Sequence, residues 1–246
     1  MFFVFNKRKI NSYLISIGTV MTLFVVSMFA NKEMNNTIET STQLSKQPIY
    51  KVETQRKKVA ISINCSENVE NIDSLIESLS KMQTKATFYV TGAVAEQYPD
   101  EIKKIATNNE IGNLSYHYTR LKNKKIEIIK SEISKCTEQI EKVTDKKVKT
   151  FRVPYGEFTN DIVQEAENQN LKTVQWNIDT LDYNGLNSEE MCERVNEGLT
   201  PGSIILLHNN GKYTPQSLEN IIRNLQKQQY EICTVSELIE LQNQNL

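Results

Sequence analysis

The sequence predicts an α/β fold built on parallel strands, either an open sheet or a barrel, and three observations lead there. Short β-branched runs alternate with longer amphipathic stretches from residue 58 to residue 235. Polar residues collect where the runs end, the usual place for active residues in such folds, and no internal repeat is visible.

Each element follows from its own pattern. "KVAISIN" (58–64) predicts the first strand, and Val69 to Met82 a helix, with Ile72, Leu75, Ile76, Leu79 and Met82 recurring at helical spacing. "ATFYVTG" (86–92) predicts a second strand ending at Gly92. "EQYPDEIKKIATNN" starts a helix near Pro99, a residue tolerated in a first turn. "EIGNLSYH" predicts a short strand and loop. Ile126 to Val143 predicts a long helix, with Ile126, Ile129, Ile133, Cys136 and Ile140 on one side. A strand near Thr150–Arg152, a helix at Asn160–Gln169 and a strand in "KTVQWNI" (172–178) come next. The order closes with a helix at Ser188–Gly198, the strand "GSIILLH" (202–208), a helix at Pro215–Gln228 and the strand "EICTV" (231–235).

Ahead of this domain, assigned to residues 57–242, the chain reads differently. Lys7, Arg8 and Lys9 precede Ile10 to Ala30, 21 residues without a charge. That length sits at the membrane-spanning limit of about 20 residues, so residues 1–30 are expected to be an uncleaved membrane anchor or a signal segment. The basic flank directs the domain to the outside. Residues 31–56 are polar and aperiodic and are expected to be a linker. Of 246 residues, 39% are hydrophobic and the net charge is −1, with no basic stripe interleaved with aromatics, which argues against a nucleic-acid partner. Cys65, Cys136, Cys192 and Cys233 lie far apart with no C-x-x-C pair, a pattern that favours mostly free buried thiols over a stapled scaffold.

Several strand ends carry chemistry-bearing residues: Asn64 and Cys65, Arg152 with Pro154 and Tyr155, Asp179 and Asp182, and His208. The chain holds only two histidines. A histidine at a strand end can be an acid, a base, a metal ligand or a polar cap, and a lone one is more often structural. Four loops bringing such residues to one rim make a constellation.

The ordered stretches "KKVAISINCSEN", "KATFYVTG", "EIGNLSYHYT", "FRVPYG", "WNIDTLDY" and "GSIILLH" resemble the polysaccharide deacetylase family. Among its branches they look most like the sporulation-associated deacetylases of spore-forming bacteria. The resemblance covers about residues 55–240. It implies a distorted (β/α) barrel and metal-assisted removal of acetyl groups from a glycan, with cell-wall or spore-cortex glycan as partner and a divalent metal such as zinc as cofactor. It also implies roles. Asp182 and His208 match the pair in which a carboxylate holds an imidazole that protonates the leaving amine. Arg152 matches the arginine that orients the catalytic aspartate, and Tyr155 a residue whose backbone N–H helps bind the oxyanion.

Other positions depart from the family. Its base aspartate is here Asn64, whose amide cannot take a proton from water. Its metal ligands are replaced by Cys65, Leu114 and Tyr118. The metal is therefore not expected to bind tightly, and Cys65 with His117 (one residue out of register) is a weak substitute, since two protein ligands seldom suffice. Tyr183 replaces a tryptophan usual in the family and keeps an aromatic wall. The expected function is a cell-wall glycan deacetylase with degenerate base and metal motifs; the competing one is an inactive glycan-binding relative.

Overall fold

The strand predicted at 58–64 organises the whole domain. In the computed structural model, which describes residues 46–243 together with 21, 22, 24 and 26–28, β1 (Lys58–Cys65) is buried along nearly its entire length. The two-residue period of a strand divides its side chains. Val59, Ile61, Ile63 and Cys65 join an outer apolar layer under the helices. Ala60 joins a smaller inner cluster, and Ser62 and Asn64 stand on the same inner side, both buried.

Parallel strands join β1 on both edges. β2 (Thr87–Val90), β3 (Glu110–Asn113), β4 (Thr150–Phe151) and β5 (Lys172–Thr173) follow on one side, and β7 (Ile204–His208) then β6 (Ile178–Asp179) on the other. β8 (Glu231–Cys233) pairs with the first half of β1, Lys58 to Ala60, and β2 with the second half, Ser62 to Cys65. Helices α1 (Ile72–Lys81), α2 (Gly92–Gln97), α3 (Pro99–Asn108), α4 (Ile126–Thr144), α5 (Asn160–Asn168), α6 (Ser188–Gly198), α7 (Thr214–Lys227) and α8 (Val235–Asn243) make the connections. The result is the expected distorted (β/α) barrel, with β5 and β6 as unpaired ends of the sheet.

A segment from the expected linker lies in that seam. The folded unit starts at Lys46, so residues 46–56 belong to the domain. Ile49 bridges to Val174 and Lys51 to Ser203. Val52 is fully buried and donates its N–H to Gly202 O at 2.9 Å. Its polar neighbours hid one apolar anchor, because periodicity cannot be read from a single residue. The expectations for residues 1–30 and 31–45 fall outside the described residues, apart from the six helical positions named above. Among the described residues no helix is long and apolar enough to cross a membrane.

Three further differences have local causes. "KTVQWNI" breaks into β5 and β6 because the backbone between them turns to other partners: Gln175 N donates to Ile49 O and Asn177 N to Ile204 O. The loop after β2 forms α2, whose N-cap Thr91 accepts from Val94 N. The chain after β8 forms α8, where Glu237 Oε2 accepts from Thr234 N, and Thr234 Oγ1 from Glu237 N. All four cysteines are free, and Cys65, Cys136 and Cys233 are buried, as the spacing suggested.

Candidate active site

At the carboxyl ends of the strands a cavity of about 410 Å³ is lined by Asn64, Ser66, Tyr118, Tyr155, Trp176, Tyr183 and His208, among others. Parallel registry places Asn64 of β1 directly beside His208 of β7. Each side chain there is held by groups the local sequence supplies.

Asp182 is the best-anchored residue of the site. It is 1% exposed and follows Leu181, whose left-handed φ of 54° turns the chain into a short 3₁₀ segment. Its Oδ1 accepts from Tyr183 N at 3.0 Å and lies 2.8 Å from His208 Nδ1. Its Oδ2 accepts from His208 N at 2.6 Å and from Thr214 Oγ1 at 2.8 Å. A carboxylate only accepts, so His208 Nδ1 is the donor and Nε2 is the ring nitrogen left for the groove. Tyr183 meets the imidazole edge to face, with centroids 5.2 Å apart. The arrangement can orient an imidazole for proton transfer.

Arg152 lies beneath the cavity, fully buried. Its Nη1 donates to Asn64 Oδ1 at 3.0 Å, and its Nη2 to Ser62 Oγ at 2.9 Å and Gln175 O at 3.0 Å. The guanidinium stacks 4.0 Å from the centroid of Tyr89. Burial brings its pKa down to about 10, with Tyr89, Tyr118 and Asp179 acting the other way, so it stays charged at neutral pH. Among the described residues no carboxylate pairs with it directly, and its Nε, Tyr89 Oη and Gln175 Oε1 are buried without a partner. At residue 64 the guanidinium therefore meets an amide oxygen and not a carboxylate.

Aromatic rings form the walls. Tyr155 adopts φ 60° in the P-Y-G turn, a left-handed conformation that costs a non-glycine residue about 1 kcal/mol or more. The residue is 46% exposed; its ring meets that of Tyr118 at a tilt, with centroids 4.5 Å apart, and carries Arg120 over its face at 4.4 Å. Arg120 pairs with Glu157. Trp176, the chain's only tryptophan, completes the lining. Trp176, Arg120 and Thr214 were not singled out in the sequence. An aromatic two residues short of a strand end is a usable signal, whereas nothing in the spacing marks Thr214.

The residues at the metal positions do not fit a metal ion. Cys65 belongs to the outer apolar layer at 0% exposure, and burial pushes its thiol well up, against the thiolate a metal needs. Leu114 is part of the inner apolar cluster. Burial also raises the phenol of Tyr118. His117 turns away into a separate surface pocket with Glu132 and Lys135. Its Nδ1 stands 2.9 Å from Glu132 Oε1 and its N–H donates to Glu132 Oε2 at 2.8 Å. Cys65 and His117 are therefore not brought together, and the weak substitute is not assembled.

The Glu132 contacts have a measurable consequence. Burial raises this carboxyl, but the hydrogen bonds from His117 and Ser115 outweigh it and leave the pKa lowered. A lowered carboxylate adds stability that is present above the unfolded value and lost as pH falls through the folded one. Glu132→Gln is thus expected to lower Tm at pH 7 and to approach the parent as pH drops below about 4. An unchanged Tm gap between pH 7 and pH 3 would contradict this.

Comparison with known proteins now adds to the geometry. A sequence profile described as polysaccharide deacetylase matches residues 51–174. The chain belongs to the polysaccharide deacetylase family. The uncharacterized protein YlxY of Bacillus subtilis is 32% identical over 198 residues, 80% of this chain and 62% of that one. A peptidoglycan-N-acetylglucosamine deacetylase of Bacillus cereus is 30% identical over 154 residues, 62% of this chain and 56% of the relative. Both relatives are thus matched over less than two thirds of their length. Among solved structures, BA3943 of Bacillus anthracis, described as a CE4 family pseudoenzyme, superposes with a TM-score of 0.77 at 30% identity, covering 80% of this chain and 70% of that one. A mutant of it described as having restored enzymatic activity also superposes, with a TM-score of 0.74. The profile match ends before Asp182 and His208.

Proposed function

We propose that this domain acts on N-acetylated cell-wall glycan held in the groove at the strand ends. The observation that carries the proposal is the groove itself, an aromatic-walled cavity with Asp182-anchored His208 in its lining. Sugar rings stack their C–H faces on aromatic side chains; Tyr183, a 53% exposed residue, offers such a face, and Tyr155, 46% exposed with Arg120 over its ring, adds to the aromatic wall. Peptidoglycan deacetylases among the relatives support the same substrate class. In this reading Asp182 holds His208, His208 is the proton donor to the sugar nitrogen, Arg152 fixes residue 64, and Tyr155 shapes the turn beside the acyl group.

A second reading, binding without hydrolysis, has two observations on its side. The residue at the base position is an amide already committed to Arg152, and the metal positions carry no suitable donor set. No step through a metal follows from these residues. An extracytoplasmic site of action agrees with the relatives and with the basic flank of residues 7–9. Membrane attachment through residues 1–30 and a role in spore formation rest on the sequence and the branch resemblance.

Two assays on one preparation test both readings. The protein is expected to pellet with peptidoglycan, and Tyr155→Ala combined with Tyr183→Ala to weaken that at least about ten-fold. No retention by the parent protein would end the glycan reading. Acetate release above that of His208→Ala is the result expected of hydrolysis, and release equal to it leaves only the second reading. Release requiring both zinc and His208 would establish hydrolysis and remove the second reading.

A further inference from the structure

The bond from Arg152 fixes which end of the Asn64 amide faces the groove. An amide has an accepting oxygen and a donating nitrogen. Arg152 Nη1 donates at 3.0 Å and cannot accept, so Oδ1 must point down to the buried guanidinium. Asn64 lines the cavity, and among the described residues only its Oδ1 takes part in a side-chain hydrogen bond. The groove therefore receives N–H donors at the position where a carboxylate would offer acceptors. Beside it, His208 donates its Nδ1 proton to Asp182, so in the neutral form, as distinct from the protonated form that hydrolysis would use, Nε2 is an acceptor. One donor and one acceptor stand side by side on adjacent strands.

We propose that this pair reads the acetylation state of the glycan, with Asn64 Nδ2 donating to the carbonyl oxygen of an intact N-acetyl group and His208 Nε2 accepting its N–H. The proposal rests on the glycan reading above and adds what the site selects. A de-N-acetylated sugar presents an ammonium, which has only donors and lies above the buried Arg152 charge. Asn64 Nδ2 then faces a donor and loses its partner. Arg152 is in this scheme a positioning residue that acts through Asn64 and touches no ligand.

The test is calorimetric titration of the full chain with N-acetylglucosamine hexamer and with glucosamine hexamer of the same length. The parent is expected to bind the acetylated hexamer at least about ten-fold tighter. Asn64→Asp places acceptors where the donor stood, and it is expected to lower that ratio about ten-fold or more. Arg152→Met keeps Asn64 but frees its amide to rotate, so the ratio is expected to fall towards one. If that variant does not fold, Asn64→Asp, which supplies Arg152 with a carboxylate, still decides. A parent ratio near one, or a ratio unmoved by Asn64→Asp, overturns acetyl reading and leaves glycan binding standing. No binding of either hexamer overturns both proposals together.

Discussion

Replacing Asp182 with alanine is expected to cost roughly 3–5 kcal/mol of stability, more than most substitutions at a candidate catalytic position. The carboxylate is buried and receives two backbone N–H groups, those of His208 and Tyr183, together with the Thr214 hydroxyl and the His208 ring. Alanine leaves these donors facing a small void that no neighbouring acceptor fills. An unpaired buried donor costs about 1–3 kcal/mol, and three of the four belong to fixed backbone or a buried side chain. Asp182→Asn keeps the shape but turns an N–H towards another N–H, so it is expected to cost less, about 2 kcal/mol. Urea unfolding measures both. A loss below about 1 kcal/mol for alanine would show that water replaces the carboxylate at no penalty. The same anchoring sets the tautomer of His208, so the variant also unsettles the acceptor that acetyl reading requires.

Gly202→Ala is expected to be comparably severe, by about 3–5 kcal/mol, for a steric reason. Gly202 has φ +83° and sits against the seam segment. A Cβ there would lie 1.7 Å from Val52 O and 2.8 Å from Val52 C. Both are backbone atoms, so no rotamer change relieves the overlap. Either the chain entering β7 at Ser203 shifts or residues 46–54 leave the seam, taking fully buried Val52 into water. Limited proteolysis should then cut near residues 46–56 in the variant and spare the parent. Equal cleavage in both, with stability within 1 kcal/mol, would refute this account.

The sequence made the barrel legible because its signals are long and redundant. The periodicities of β1 and α4 span 8 and 19 residues, and each repeats its evidence at every turn. Short features were lost. Helix α2 has six residues and no moment long enough to stand out. Val52 is one apolar residue in a polar stretch, recognisable only once Gly202 has been brought against it. At the site, residue identity was readable but orientation was not. Asn64, Arg152, Asp182 and His208 do converge on one region, as their places at strand ends suggested. His117 could not be placed from sequence, because it follows β3 in a loop that turns at Ser115, φ 71°, and no spacing rule gives the direction of such a turn. The direction of the Asn64 amide depends on a contact with Arg152 across 88 residues, and no local pattern encodes it.

The shared edge of β1 bears on how the chain acquires its structure. β1 is the earliest of the described strands in the order of synthesis, yet of its three partners only β2 follows closely; β7 and β8 begin at Ile204 and Glu231. Until those residues exist, one side of a strand that the native fold buries almost throughout has unsatisfied backbone groups. Topologies in which first and last pieces must meet carry high contact order and fold slowly. An unpaired apolar edge is also a template for pairing with other chains. During biogenesis, then, the hazard is greatest for a polypeptide complete through α6 but lacking β7, and a holding factor that covers the bare side of β1 would protect it.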